Sequence, residues 1–236
     1  VVSGSNGDVG WAFIKLFAKP LLVNLKVFLE GPYNGSGAMT TTLRSQVLMP
    51  KYQPFKAAPW NYLGTEAAAT LPANAVDWVM IELRSDLTTI VSRRAGLLLS
   101  DGSVVDIDGS GPVKFKDVSD GNYYVVVKHR NHLAIMSSSA IPLSRNSALY
   151  DFTTSQSQAY TAGTDPMVAL SGGGYGMIAG DANISAIITA ADVTPIIENL
   201  NNAIYDGADT NMSAIVTASD VTKIILNLNM ATNVPD

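Results

Sequence analysis

Asp181-Ala-Asn-Ile-Ser-Ala-Ile-Ile-Thr-Ala-Ala-Asp192 returns 28 residues later as Asp209-Thr-Asn-Met-Ser-Ala-Ile-Val-Thr-Ala-Ser-Asp220, and each copy runs on into Val-Thr-x-Ile-Ile-x-Asn-Leu-Asn. Two copies at a fixed offset mark one supersecondary unit, duplicated. The span opens Asp-x-Asn-x-Ser and closes on Asp before an apolar run, which is the ligand spacing of a calcium loop of the EF-hand kind. A hard divalent cation takes about six to eight oxygens, and such a loop supplies them by curling alternate side chains inward. In the first copy these are Asp181, Asn183, Ser185 and Asp192, with the backbone carbonyl of Ile187. The second copy offers Asp209, Asn211, Ser213, Asp220 and the carbonyl of Ile215. Ile188 and Val216 fall at the apolar position expected to pack loop against loop.

The same residues support a purely structural reading. Thr189-Ala-Ala-Asp192 and Thr217-Ala-Ser-Asp220 match a helix-capping pattern, in which the hydroxyl caps the first turn and the carboxylate faces its positive end. Beyond them, Val193, Ile196, Ile197 and Leu200, with counterparts Val221, Ile224, Ile225 and Leu228, form an apolar stripe of helical spacing. The two helices are expected to pack on each other along it. Pro195 either bends the first helix or sits in its first turn.

Upstream the pattern is that of strands. Ala75-Val-Asp-Trp-Val-Met-Ile-Glu-Leu-Arg84 alternates with neither face wholly polar, as a central strand does. Leu21 to Glu30 precedes it, and further strands are expected over 88–99, 104–107, 113–118, 122–130, 132–136 and 148–154, punctuated by Asp101-Gly, Asp108-Gly and Asp120-Gly turns. So many short strands without room for crossover helices describe an antiparallel sandwich. The long irregular region to about Asn74 is expected to lay Trp60 and Tyr62 over an open end of the sheet. The expected organisation is an N-terminal arm over 1–20, a β-sandwich over 21–154, a Gly/Ser-rich linker over 155–176 and the duplicated unit over 177–236. Gly10 to Lys19 reads equally as a short helix or as an edge strand able to add to a neighbour's sheet.

Charged residues make up only 15% of the chain, so the surface is poor in charge, as in exported proteins or proteins partly covered by neighbours. A net charge of -5 leaves no basic stripe for nucleic acid. The most apolar stretch, 11–29, is broken by three lysines and a proline, which argues against a membrane span there. There are no cysteines, hence no disulfides or thiolate metal sites. A start at Val1 is expected of a processed or excised chain. His129 and His132, if on a strand, would point to opposite faces and share no metal. Asp106-Ile-Asp-Gly-Ser-Gly111 reads as a hairpin turn before it reads as a cation loop, and Arg93-Arg94 with Glu82/Arg84 as cross-strand ion pairing. No pair of carboxylates is spaced as acid and base, and no nucleophile or phosphate-loop motif is present, so no enzyme activity is expected.

The duplicated loop and helix over about 180–230 resemble the dockerin type I repeat, which implies paired calcium loops and a cohesin-like protein partner. That family prefers Asp where Ser185 and Ser213 stand and Gly where Ala186 and Ala214 stand. Each loop is thereby left with two carboxylates, and each Ala must take a left-handed backbone at ~1 kcal/mol. Calcium binding is then expected to be weak, in the ~10⁻⁴–10⁻³ M range of extracellular modules. A second resemblance covers about 21–154. Leu25 to Tyr33, Val76 to Arg84, Gly102 to Gly109 and Tyr123 to Leu133 are similar to the C-terminal region of large secreted or surface proteins of Bacteroidota, where a comparable sandwich precedes a dockerin-like repeat. This implies an extracellular or cell-surface protein exported by the type IX route. The resulting expectation is a mostly β chain with a small α part: an Ig-like or prealbumin-like antiparallel β-sandwich followed by a dockerin-like pair of loop-helix repeats. Its expected role is structural or adhesive, with self-association into a fibre or sheath or attachment to another surface protein. Calcium-controlled docking to a cohesin-like partner is the alternative, and a carbohydrate-binding sandwich attached to an enzyme, with its glycan-binding aromatics near Trp60 and Tyr62, a third.

Overall fold

The computed structural model describes residues 19–236 and, before them, the backbone of two short strands, β1 (Val2–Ser3) and β2 (Val9–Gly10), which pair antiparallel. The choice between helix and edge strand over 11–18 lies outside the described residues. The remaining strands are β3 (Leu21–Val23), β4 (Leu25–Lys26), β5 (Ala75–Arg84), β6 (Ile90–Leu99), β7 (Ser103–Val105), β8 (Val113–Phe115), β9 (Gly121–Lys128), β10 (Ile135–Met136), β11 (Ile141–Leu143), β12 (Tyr150–Asp151), β13 (Val168–Ala169) and β14 (Tyr175–Gly176). Helix α1 (Thr42–Ser45) lies in the long irregular region, and α2 (Val193–Glu198) and α3 (Asp220–Leu226) end the two repeats.

The protein is mostly β, and its principal sheet runs β10-β9-β5-β6-β7-β4-β12. All ten residues of β5 are buried, as its unbroken apolar alternation requires of a central strand. Each fully buried Val, Leu or Ile there contributes about 1.5–3 kcal/mol. The sheet curls because two stretches of chain serve two layers. Leu21–Val23 pairs with β8 and bridges Ser144, whereas Leu25–Lys26, one residue on, pairs with β7 and β12. Likewise the first residues of β9 pair with β11 and the rest with β5 and β10. Gly96 in β6 allows the second layer to approach, since a Cβ there would stand 3.0 Å from both the Val105 carbonyl and Val113 Cγ2. One expectation needs correcting: β12 runs parallel to β4, so the sheet is not wholly antiparallel.

Two further corrections concern the stretch expected to be a linker and a strand that was not expected. Residues 155–176 carry a 3₁₀ turn (Gln156–Gln158) and the β13–β14 ladder, and they bury Ala159, Met167 and Leu170 in the main core. Apolar residues spaced among Gly and Ser were enough to seat this segment on the sheet. β11 was missed because Pro142 interrupts its apolar pattern; Pro142 faces solvent while Ile141 and Leu143 are buried against the core.

The repeats form a second, smaller core of Ile178, Ile188, Ile196, Ala208, Val216 and Ile224, to which Leu133 of the β unit also belongs. Ile188 and Val216 are fully buried, as their position predicts. The Ile188 amide donates to the Met230 carbonyl at 2.8 Å, and the Val216 amide to that of Asn202 at 2.9 Å. Each loop therefore pairs with the chain leaving the other repeat's helix, a pseudo-twofold arrangement. A 3₁₀ turn (Ala190–Asp192) precedes α2, with Pro195 inside the first turn of the helix. The continuous stripe is not realised. These helices are under two turns long; Ile196 and Ile224 are buried in the core with Val193 and Val221 partly buried against it, leaving Ile197 and Ile225 each 68% exposed.

Candidate functional site

The two loops have the same internal hydrogen bonding. Asp181 accepts from the Ser185 and Ala186 amides at 2.8 and 3.1 Å, and Asp209 from those of Ser213 and Ala214 at 2.8 and 2.9 Å. Asn183 and Asn211 each accept the same serine amide, at 3.0 and 2.9 Å. Asp192 uses one oxygen on the Asn183 amide (3.1 Å) and the other on that of Thr189 (2.8 Å), and Asp220 repeats this with Asn211 and Thr217 at 3.0 and 2.9 Å. A full capping box at Thr189 results, so the capping reading holds, and it leaves further lone pairs on both carboxylates.

The backbone takes the same left-handed turns in both loops. Ala186 and Ala214 take φ of 67° and 74°, and Ile184 and Met212 take 59° and 57°. These are left-handed values at residues other than Gly, one of them β-branched, each costing about 1–2 kcal/mol. The Ser185 hydroxyl donates to the Ile187 carbonyl at 2.9 Å, and the Ser213 hydroxyl to that of Ile215 at 3.1 Å.

Electrostatically each loop is a buried pair of carboxylates. Asp181, Asp192, Asp209 and Asp220 are all buried. Burial, with repulsion from Asp192 added, pushes Asp181 up to about 6 against the pull of the Ser185 and Ala186 amides. Burial likewise raises Asp209 to about 6, helped by Asp220 and opposed by Arg130. The donor chemistry thus fits a hard cation: two carboxylates, a carboxamide, a hydroxyl and a carbonyl, all oxygen, with negative charge in excess. Among the described residues no three His, Cys, Asp or Glu side chains converge; the rest of each set is neutral oxygen.

A polar clasp fixes this unit to the sheet, and the sequence reading missed it. Asp77, fully buried near the start of β5, accepts from Arg130 Nε at 2.9 Å, His129 Nε2 at 3.1 Å, its neighbour's amide (Trp78, 2.7 Å) and the hydroxyl of Tyr205, which lies between the repeats. Arg130 also donates to the Asp206 carbonyl and stacks over the Tyr205 ring at 4.6 Å. Asn131 Nδ2 donates to the carbonyl of Asp209, a loop residue, at 2.7 Å. Burial alone would raise Asp77; Arg130 and the His129 hydrogen bond outweigh it and hold the carboxyl at about 2.

The two histidines are not on opposite faces. Strand β9 ends at Lys128, and the turn that follows brings their Nδ1 atoms to 3.0 Å. His132 Nε2 accepts the Gly31 amide at 3.0 Å, so its Nδ1 carries the proton and donates toward His129 and Asn131 Oδ1. His129 then donates through Nε2 to Asp77. Both rings are neutral, with burial the main cause of their lowered pKa. A second tie joins Glu30 to Lys223 (3.0 Å) and Asn227 (2.7 Å) of α3 and its end. The only advance signal of the clasp was the run Lys128-His-Arg-Asn-His132, and its partners stand 52 to 128 residues away from it or from Asp77.

The other expected features fall as follows. Asp106 and Asp108 are taken by Arg94 and Lys114, each at 2.7 Å, in the hairpin turn. Trp60 packs edge-on to Phe55, and Tyr62 donates to Glu66 at 2.6 Å beside the Arg93 carbonyl. Among the described residues no helix is long and apolar enough to cross a membrane.

No protein-family model and no curated protein matches the chain. Two solved structures are similar to it, both mutants of a type II cohesin–X–dockerin complex from Acetivibrio cellulolyticus. An N-terminal interface mutant gives 15% identity and a TM-score of 0.42 over 89% of this chain and 97% of that one. A C-terminal interface mutant gives 18% identity and a TM-score of 0.40 over 69% and 90%. Likenesses this distant define no family for the chain.

Proposed function

We propose that this chain is a non-catalytic extracellular docking protein, in which the β unit carries a dockerin-like loop-helix pair that binds calcium and seats on a protein partner. One observation carries the reading. The duplication is exact enough to turn the same apolar residues to solvent twice, with Ile197 and Ile225 each 68% exposed and Leu200 and Leu228 at 47% and 48%. Residues that a helical pattern would spend on a core are instead displayed by two short, symmetry-related helices and the turns that end them, in the manner of helix-mediated recognition. Calcium, held by Asp181, Asn183, Ser185, the Ile187 carbonyl and Asp192, and by Asp209, Asn211, Ser213, the Ile215 carbonyl and Asp220, would supply the positive charge that the buried carboxylate pairs lack.

The test is calorimetric titration of the chain with calcium, followed by binding to a panel of cohesin domains with and without the metal. Calcium should bind in the ~10⁻⁴–10⁻³ M range and raise the melting temperature. A double substitution, Ile197→Asp with Ile225→Asp, should abolish partner binding while changing stability by no more than about 0.5 kcal/mol, as surface substitutions do. No heat with millimolar calcium would sink the metal-dependent form; unchanged partner binding by the double variant would sink the docking face. The same face also supports a second reading, burial of Ile197 and Ile225 against another copy in a fibre or sheath. Sedimentation and electron microscopy of the purified chain separate the two readings.

A further inference from the structure

The two loops share a ligand pattern but not a setting. Where the first repeat has Ala182, the second has Thr210, whose buried hydroxyl donates to the Asp220 carbonyl at 2.7 Å. Where the first has Ala191, the second has Ser219, whose hydroxyl receives Asn211 Nδ2 at 2.9 Å and so aims the oxygen of that amide into the loop. Ala182 and Ala191 have no hydroxyl with which to repeat either bond. Asp220 and Asn211 are therefore braced in a way that Asp192 and Asn183 are not.

The β unit adds to this difference. Met212 and Ala214 are buried in the main core, whereas their counterparts Ile184 and Ala186 are half-buried and exposed and border a cavity of about 320 Å³. A Cβ at Gly31 would collide with the Thr210 carbonyl, so the second loop's backbone lies directly on the β unit. Asn131, with no exposed surface, completes the seat: its Nδ2 donates to the Asp209 and Gly207 carbonyls at 2.7 and 3.2 Å. Its oxygen accepts His132 Nδ1 at 2.7 Å, and His132 Nε2 accepts the Gly31 amide, which fixes the orientation of the carboxamide. The first loop is tied through backbone, by the Gly180 amide on the Asn131 carbonyl at 3.0 Å and the Thr232 amide on the Ala186 carbonyl at 2.9 Å. Arg130 acts on Asp209, but its charge is matched by Asp77 at 2.9 Å, so the seat adds rigidity without a free positive charge.

We propose that the two loops are unequal calcium sites: the second, positioned by Asn131 and Thr210, is the tighter and fills first, and the first is the weaker. This rests on the calcium binding proposed for the loops. The affinity of such loops follows ligand charge and rigidity, and the ligand charge is the same in both, so rigidity decides. A site already held in its binding geometry has less order to impose when the metal arrives. Asn131 and Thr210 are positioning residues, acting through the backbone of Asp209 and Asp220. Groups that orient a ligand without touching the metal change affinity by about 10–100-fold.

The experiment is a residue-resolved NMR titration of the full chain with calcium chloride, following the amides of Ser185 and Ala186 in one loop and of Ser213 and Ala214 in the other. The second pair should reach its midpoint at calcium concentrations about tenfold lower than the first. In the metal-free chain the same pair should also exchange its amide hydrogens more slowly. Asn131→Ala should weaken the second site by about tenfold or more and leave the first loop's midpoint in place, because the bond to Gly180 uses the Asn131 backbone carbonyl. Thr210→Ala, which gives the second loop the residue that the first already carries, makes the same test should the Asn131 variant fail to fold. Coincident midpoints in the unaltered chain, or a tighter first loop, overturn the proposal and leave calcium binding standing. An unmoved second midpoint in the variants does the same. No shift of any of the four amides at millimolar calcium overturns calcium binding itself, and this proposal with it.

Discussion

Asp77→Asn is the substitution that interrogates the clasp most directly. The carboxylate has no exposed surface and serves four donors, two of them on the cation Arg130 and on His129. An amide in its place removes the charge and turns one acceptor oxygen into an N–H that must face another donor. Breaking a buried pair by removing one partner costs about 3–5 kcal/mol, because the remaining charge stays buried. Proton linkage points the same way: the fall from 3.8 to about 2 corresponds to stabilisation on the order of 2 kcal/mol. Taking about 3 kcal/mol, a chain of this length should melt roughly 6–12 °C lower. Because the folded pKa is depressed, the stabilisation is fully present above about 3.8 and is lost as pH falls toward about 2. Urea unfolding of both proteins at pH values across that window is the assay. The gap should be near 3 kcal/mol at neutral pH and should close on acidification. A gap below about 1 kcal/mol, or one that does not change with pH, refutes the clasp as an energetic link.

The loops supply the remaining predictions. Ala186→Gly and Ala214→Gly should each raise stability by up to about 1 kcal/mol, since the left-handed φ values of 67° and 74° no longer meet a Cβ; urea midpoints measure this. Ser185→Asp combined with Ser213→Asp should tighten calcium by at least about tenfold by adding a charged ligand to each loop, read by calorimetry, and should destabilise the calcium-free chain by adding a third carboxylate to each buried pair.

What was legible in the sequence was local or repeated. The duplication exposed both loops, their capping threonines and the buried Ile188 and Val216, because each depends on neighbours within twelve positions. Strand β5 was legible because its pattern has no polar face to surrender to water. The clasp was not, because Asp77, Arg130 and Tyr205 meet only when three separate segments converge, and nothing in an isolated Asp or Tyr announces that. The histidines were misplaced by a strand boundary: two residues fewer of strand turned opposite faces into contact. The helical stripe misled in a different way. Its spacing was right, but six- and seven-residue helices cannot bury all of it, and the remainder became surface.

The junction also has a mechanical consequence. A pull applied at Ile197 and Ile225 does not reach the β unit by the covalent route through Gly176 to Gly180 alone. It is shared by Tyr205 and Arg130 with Asp77 on the central strand, and by Lys223 and Asn227 with Glu30. Load is therefore delivered into the middle of the sheet along several parallel ties, and strand β5, paired with β6 along its length and with β9 over Met80 to Arg84, would have to shear past both before the chain could lengthen. A tether built this way yields by collective sliding of paired backbone instead of peeling from a free end.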